Sequence, residues 1–392
     1  GMSCRGVIPV GKGFIISREQ RNLWGASALI KPFLNGRDIT DAPRNAWIID
    51  AFGLSEAELR VQAPKIYQHL LDTVKPERDQ KQRTSHRERW WIFAEPRATF
   101  RPALKGLSRY IATPQTAKHR VFQFLDGSAL PDDKLIAIAT DDAFLLGVLS
   151  SWIHGLWATA TGAMLEDRPV YNKSTCFDAF PFLDTSETQK ARIRALAEGL
   201  DAHRKAAQGR GVTITAMYNL LAKLRAGEAL NEKEQALHAQ AQTSILRQFH
   251  DDLDAAVAEA YGWPSGLPDE AILERLVALN RERAEEERHG LVRWLRPKYQ
   301  AKAQLAVATP ELFPTEEAPV LLVPLPKARP WPTDRRAQFA ALRDLLLSGA
   351  RLWSLEDLAA CFKSRGRYRD SIQTHLDVLE DLGLVHRLED AG

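Results

Sequence analysis

Seven prolines fall between Pro310 and Pro332 of this 392-residue chain, both ends included. Each removes a backbone donor and holds φ at about −65°, so no packed helix or central strand can cross the stretch. The chain on its two sides must therefore fold as separate bodies joined by an extended arm. Residues 301–332 read as a Pro-rich linker, and 333–392 as a small C-terminal domain.

Upstream of the linker the pattern changes once. Over residues 1–183, short runs rich in β-branched and aromatic residues are bounded by Gly, Pro or Asp, which predicts strands. The runs are GFII (Gly13–Ile16), AWIID (Ala46–Asp50), WWIF (Trp90–Phe93), RYIAT (Arg109–Thr113), VFQFL (Val121–Leu125) and DKLIAIAT (Asp133–Thr140). Helices are expected at Ser55–Arg60 and Pro64–Val74. In Asp141–Ala160, Phe144, Leu145, Val148, Leu149 and Trp152 recur at helical spacing, so this run reads as one buried helix. From Asp184 to residue 300 the chain reads as helical. SETQ (Ser186–Gln189) is a capping-box pattern opening a helix to about Gln208. Further helices fit Thr213–Arg225, Asn231–Ala260 and Asp269–Gly290. The second is long enough for a projecting arm or hairpin, but no heptad repeat is sustained through it. The fold class is α+β: a mixed strand and helix domain, a helical region, and the C-terminal part.

That last part predicts a helix at Thr333–Gly349, a second capped by SLED (Ser354–Asp357), and a third from Ser371 running into a strand after Gly383. Three short helices closed by a strand resemble a small winged helix-turn-helix. Arg365, Arg367 and Arg369 form a basic cluster beside the third helix.

Hydrophobic residues make up 45% and charged residues 26% of the chain, the balance of an ordinary globular protein. The net charge of +3 says little about partners, but its distribution says more. From Arg83 to Arg120 there are nine Lys or Arg against two acids, Glu88 and Glu95. Such a local excess suits a phosphate-facing surface, because binding releases counterions. The three cysteines Cys4, Cys176 and Cys361 are widely spaced, which suggests a reducing compartment and gives no zinc pattern. With no apolar run near the roughly 20 residues of a membrane span and no signal-peptide core, a cytoplasmic location and no membrane partner are expected. Gly1 before Met2 reads as a tag remnant.

Catalytic chemistry is hard to find. A methyl-transfer or dinucleotide site needs a Gly-rich turn between strand and helix, so that the backbone can approach the cofactor. Gly11–Gly13 instead precedes a strand and reads as an ordinary turn. No Pro-Pro pair occurs, whereas amino methyltransferases of DNA use an Asp/Asn-Pro-Pro-aromatic loop around the extruded base. No phosphate-binding loop with its lysine is visible, and no metal-ligand spacing. Asp132–Asp133 follows Pro131 in a turn and Asp141–Asp142 opens a helix, so capping explains both pairs better than a metal-dependent nuclease does. His154 reads as a core histidine. No catalytic, cofactor-binding or metal residue is assigned, and the chain reads as a binder.

Several segments together resemble the MmeI-like DNA methyltransferases, large bacterial enzymes often fused to a restriction nuclease. They are PFLNGRDIT (Pro32–Thr40), IIDAFGLS (Ile48–Ser55), VKPERD (Val74–Asp79), RERWWIFAEPR (Arg87–Arg97), RYIATPQTAKHRVFQF (Arg109–Phe124), LGVLSSWIHGLWA (Leu146–Ala158) and CFDAFPF (Cys176–Phe182). The resemblance implies that residues 1–183 are a target recognition domain. Ala216–Glu234, His250–Trp263 and Leu279–Gln300 are similar to the helical region that comes after it. The family methylates adenine at N6 using S-adenosylmethionine. Its nuclease motif, cofactor fold and Pro-Pro loop would lie upstream of Met2. The resemblance therefore implies double-stranded DNA and a catalytic methyltransferase domain or subunit as partners, with S-adenosylmethionine expected on that catalytic part. The chain would then be an excised piece, one half of a split gene, or an inactive remnant.

Two stretches are the leading candidates for DNA contact. In Arg87–Arg97, Trp90 and Trp91 on opposite faces of a strand would put one ring in the core and leave Trp91 half-exposed beside Arg87, Arg89 and Arg97. The alternative is a tryptophan pair spanning two layers with arginines solubilising the edge; the family resemblance favours the DNA-proximal reading. In the TAKHR loop, Thr116, Lys118, His119 and Arg120 offer four polar groups. Lys118 is expected to anchor phosphate and Arg120 to fork onto guanine O6 and N7, unless the loop is ordinary surface. Asn172 and Lys173 form a second polar loop, for which plain surface is the simpler reading. Phe177, Phe180 and Phe182 read as core packing. The rival function is a stand-alone DNA-binding regulator using the C-terminal winged helix. An enzymatic alternative would require this chain itself to bind S-adenosylmethionine.

Overall fold

The computed structural model describes residues 1–300 except 26, 167 and 265, and beyond them 328–334, 337–338, 341–342, 345–346, 355–363 and 368–381. The chain divides into two compact units, Gly1–Pro310 and Glu311–Gly392. Most of the proline-rich arm, the cap at Ser354, Arg365, Arg367 and the strand expected after Gly383 lie outside the described residues.

Among the described residues the first unit contains ten strands: β1 (Ser3–Arg5), β2 (Ile15–Ile16), β3 (Ile30–Leu34), β4 (Trp47–Ile49), β5 (Arg109–Pro114), β6 (Gln123–Asp126), β7 (Leu130–Pro131), β8 (Leu135–Ile138), β9 (Ala163–Leu165) and β10 (Arg168–Val170). One sheet is antiparallel in the order β1-β8-β5-β6, with Ile111 opposite Phe124 on one side and Ile138 on the other. A second sheet runs β2-β4-β3-β7, and its last pair is parallel through Phe33 and Leu130. The third is the hairpin of β9 and β10.

Five of the predicted runs hold a strand; WWIF does not. It is a turn, and Trp90 and Trp91 are both buried, at 2% and 9% exposure, in the core under the second sheet. A strand would send neighbouring rings to opposite faces, whereas here they meet edge to face with centroids 6.0 Å apart. The carbonyl of Ile92 accepts from the buried Arg78 guanidinium at 2.8 Å instead of from a strand partner.

The helices are α1 (Arg18–Trp24), α2 (Gly36–Thr40), α3 (Glu56–Gln62), α4 (Pro64–Thr73), α5 (Lys75–Asp79), α6 (Thr84–Glu88), α7 (Arg101–Leu104), α8 (Ala143–Ser150), α9 (Trp152–Thr161), α10 (Glu187–Gly209), α11 (Ile214–Arg225), α12 (Glu232–Ala241), α13 (Thr243–Ala260) and α14 (Asp269–Arg288). Side-chain caps open several of these helices. Ser55 and Glu58 form a full capping box, and Asp142 accepts from the Phe144 amide at 2.9 Å. At α10 the box is half made: Ser186 accepts from Gln189 N, while the Gln189 side chain takes the Ser186 hydroxyl at 3.0 Å.

Two helices read as continuous are broken. Asp141–Ala160 becomes α8 and α9, bent by 64° at Ser151, whose extended backbone starts α9 and whose hydroxyl donates to Val148 O at 2.7 Å. Asn231–Ala260 becomes α12 and α13 because Gln242 adopts the left-handed region, φ 51° and ψ 50°. That conformation is costly for a residue with a Cβ, so tertiary packing must hold it. Here Ala241 and Leu246 on either side of the break are both wholly buried.

Strand alternation explains the layering. Ile111, Phe124 and Ile138 face a core shared with α8 to α14, and Tyr110, Ala112 and Ala137 face a second core with Ile39 and Phe100. The helices beyond Asp184 thus pack on the first sheet. Gly147 allows α8 against α10, since a Cβ there would lie 2.5 Å from Ile193 Cγ2. No single helix among the described residues is long and apolar enough to cross a membrane.

In the second unit, α15 (Leu355–Ala360) and α16 (Arg369–Asp381) pack around Leu342, Leu358, Phe362 and Ile372. Trp331 lies parallel to Tyr368 at 5.6 Å. Arg369 lies 3.8 Å from Glu356.

Candidate nucleic-acid interface

Of the nine cations between Arg83 and Arg120, five guanidinium groups are committed to the protein itself. Arg87 donates to the carbonyls of Lys81 and Gln82 at 2.6 and 2.8 Å. Arg97, at a positive φ of 57°, donates to Gly6 O at 2.9 Å and lies 3.6 Å from Glu95. Arg101 forks onto the buried Asp50 at 2.7 and 3.0 Å, and Arg109 onto Glu198. Arg120 donates to Thr113 Oγ1 at 3.0 Å, to Pro169 O at 3.1 Å and to Pro114 O, above the Tyr171 ring. Burial pushes the Arg120 pKa down to about 10, so it stays charged at neutral pH.

These placements correct two expectations. Trp91 offers no exposed face: its ring is in the core and its indole N–H donates to Leu54 O at 2.9 Å. Arg120 is turned towards the protein rather than left free for guanine, because both terminal nitrogens serve backbone carbonyls, those of Pro114 and Pro169. Arg89 is exposed on the end of α6. Asn172 caps the π-helical turn Lys173–Phe177 by accepting from Ser174 N at 3.1 Å, and Lys173 pairs with Asp178 at 3.0 Å.

The rest of the TAKHR loop lies elsewhere. Thr116, Lys118 and His119 line a cleft of about 480 Å³ with the start of α2, the start of α11, Lys134 and the β10 residue Arg168. Four cations, Arg37, Lys118, Lys134 and Arg168, surround one carboxylate, Asp41. Lys134 lies 3.4 Å from Asp133 and Arg168 is paired with Glu166 at 2.6 Å, both at the surface, where ion pairs contribute little and exchange readily. Asn35 fixes the α2 end of the cleft by accepting from the Arg37 and Asp38 amides, while buried Asp38 accepts from Asn35 N and forks with Arg44. Thr215 ties α11 to the same end through Thr40 O and Asp41 Oδ1, both at 3.3 Å.

The loop's own conformation is held from α11. Asn219 Oδ1 accepts from Lys118 Nζ at 2.9 Å and from His119 Nε2 at 2.8 Å. An ammonium has no lone pair, so the atom facing it must be the amide oxygen, and His119 must carry its proton on Nε2. Burial, opposed by that hydrogen bond, holds the His119 pKa below the ordinary value of 6.5. Arg37, Lys134, Arg168, Asn35, Thr215 and Asn219 were not singled out from sequence. The NGRD turn after a strand-like run was the one available signal, since the others are single polar residues on distant segments.

Chemically, the cleft presents ammonium and guanidinium groups, a hydroxyl and an imidazole. That set binds polyanion backbone and base edges. Gly13 in the Gly11–Gly13 turn serves internal close approach, since a Cβ there would lie 2.0 Å from Thr73 Oγ1 on α4. Among the described residues no group of three His, Cys, Asp or Glu is arranged to hold a metal ion.

Comparison with known proteins agrees with the resemblance. Residues 6–184 match the family model of the MmeI target recognition domain. DNA methyltransferase A of Bacillus subtilis (strain 168) is 26% identical over 191 residues, 47% of this chain and 19% of that protein. The structure of the type IIL restriction-modification enzyme MmeI in complex with DNA is similar over 71% of this chain and 35% of that one, with a TM-score of 0.56 and 18% identity. That similarity is one of fold. The family model thus covers a little under half of this chain, and the chain spans 35% of the MmeI chain it resembles.

Proposed function

We propose that this chain is the DNA sequence-recognition portion of an S-adenosylmethionine-dependent adenine-N6 DNA methyltransferase of a restriction-modification system, acting in the cytoplasm. It holds a specific duplex site for a catalytic domain that supplies the cofactor and the chemistry. The observation that carries this reading is the basic cleft. Two of the segments that carry the resemblance, Pro32–Thr40 and Arg109–Phe124, meet there, and Arg37 and Lys118 both line it. The cleft is too small to enclose a duplex, so the sugar-phosphate backbone lies along it while side chains at its edge reach the groove. Lys118, Arg37, Lys134 and Arg168 hold phosphate, and Thr116 and His119 are the polar groups nearest the base edges.

The test is to mix or fuse this chain with a matching catalytic half and sequence the methylome of cells carrying both. Adenine methylation confined to one motif is the expected result. No modified motif, although both halves are produced, would count against the reading. This chain alone, incubated with labelled S-adenosylmethionine and mixed-sequence duplex, is expected to leave the DNA unlabelled.

A further inference from the structure

We infer that Asn219, on a helix beyond the recognition domain's family boundary, is a positioning residue of the DNA interface. Its amide oxygen receives both Lys118 and His119 and sets where the cleft's lysine and imidazole point. The inference rests on reading the cleft as DNA-binding.

The geometry supports a clamp. Lys118 is exposed and His119 half-buried, and among the described residues neither has a carboxylate partner. An exposed lysine without a partner samples many rotamers, and ordering it on binding lowers affinity. Asn219 pre-orders it with a neutral acceptor, so the ammonium keeps its whole charge for phosphate. An aspartate at the same place would neutralise it. The support for Asn219 is itself rigid. On α11, Met217, Leu220 and Leu221 are buried, and the Tyr218 hydroxyl bonds His250 Nε2 at 2.7 Å while receiving the buried Arg204. At the far end of the helix Lys223 pairs with Glu234 at 2.6 Å. The helix is thus fixed by Thr215 towards α2 and by Tyr218 towards α13. Lys118 and His119, inside the segment that matches the family model, therefore depend on a residue 35 positions beyond its end at 184 (219 − 184 = 35).

The test uses the full chain and a mixed-sequence duplex, with binding measured over a salt series. Asn219→Ala leaves the Lys118 charge in place but unpositioned, so affinity is expected to fall roughly three- to ten-fold with the salt slope unchanged. Asn219→Asp ties up the Lys118 charge, so the slope itself is expected to fall by about 1. In a Lys118→Ala, His119→Ala background, Asn219→Ala is expected to add nothing. Nitrogen-resolved NMR of the His119 ring should show the proton on Nε2 in the wild type and a mixture of tautomers in Asn219→Ala. Wild-type affinity in Asn219→Ala, or an equal loss in the double-alanine background, would overturn the clamp and leave the DNA reading standing. A wild-type chain with no salt-dependent affinity for duplex would overturn both.

Discussion

Two basic stretches end up with opposite roles. RERWWIFAEPR sets three arginines beside two tryptophans, TPQTAKHR sets a lysine, a histidine and an arginine beside small polar residues, and both fall in the locally basic run from Arg83 to Arg120. In the first, the tryptophans are core and two of the three arginines are spent on backbone carbonyls. In the second, Arg120 is spent in the same way, yet Lys118 and His119 stand at a cleft wall. Local charge density therefore does not distinguish a binding surface from an internal brace. The difference lies in where the donors go. A guanidinium can satisfy several carbonyls at once and so gets recruited as structure, whereas an ammonium on a flexible stem more often stays at the surface.

The comparison can be broken most sharply at Trp91. If it is core, Trp91→Ala should cost about 3–5 kcal/mol in urea denaturation. Loss of DNA affinity with unchanged stability would return that stretch to the interface. Next in size is Arg120→Ala, which removes the partner of three acceptors and should cost roughly 2–4 kcal/mol. A variant as stable as wild type that relaxes preference at one base pair would restore Arg120 as a reader of guanine. Lys118→Ala should leave the denaturation midpoint alone, weaken binding equally on every sequence and lower the salt slope by about 1. Arg89→Ala, by contrast, should change stability by less than about 0.5 kcal/mol, and binding no more than any distant surface charge does.

A smaller effect is expected from His119. Burial lowers its pKa in the folded chain, so it is neutral at pH 7. The unfolded chain takes up a proton first as pH falls through 6.5, so this residue's contribution to stability is full above 6.5 and lost below it. Phosphate favours the charged ring, so binding should be tighter at about pH 5.5 than at about pH 7.5. His119→Gln should flatten that difference. An unchanged pH profile in this variant would remove the imidazole from the interface.

Much of the local structure was legible along the chain. β4, β5, β6 and β8 arise from β-branched runs between turn residues, and the caps at Ser55, Asp142 and Ser186 from short-range hydrogen bonding. Such features need only near neighbours, which the sequence displays. β3 and β7 pair in parallel although nearly 100 positions separate Phe33 and Leu130 (130 − 33 = 97), and neither carries a local sign of its partner. The breaks at Ser151 and Gln242 are marked by no glycine or proline, because long-range packing imposes them.

The same boundary runs through the candidate site. The sequence alone was enough to show the resemblance that the family match over residues 6–184 repeats, the α+β class, and Thr116, Lys118 and His119 as a polar loop. Only the tertiary structure decided that Arg120 faces inward, that Trp91 is core, that Arg37, Lys134, Arg168 and Thr215 join the loop at one cleft, and that Asn219 bonds Lys118 and His119. The reason is physical. A side chain's propensity is a property of its own stretch of chain, but whether its donors meet a carbonyl, a carboxylate or water depends on what the fold brings within about 3 Å of it.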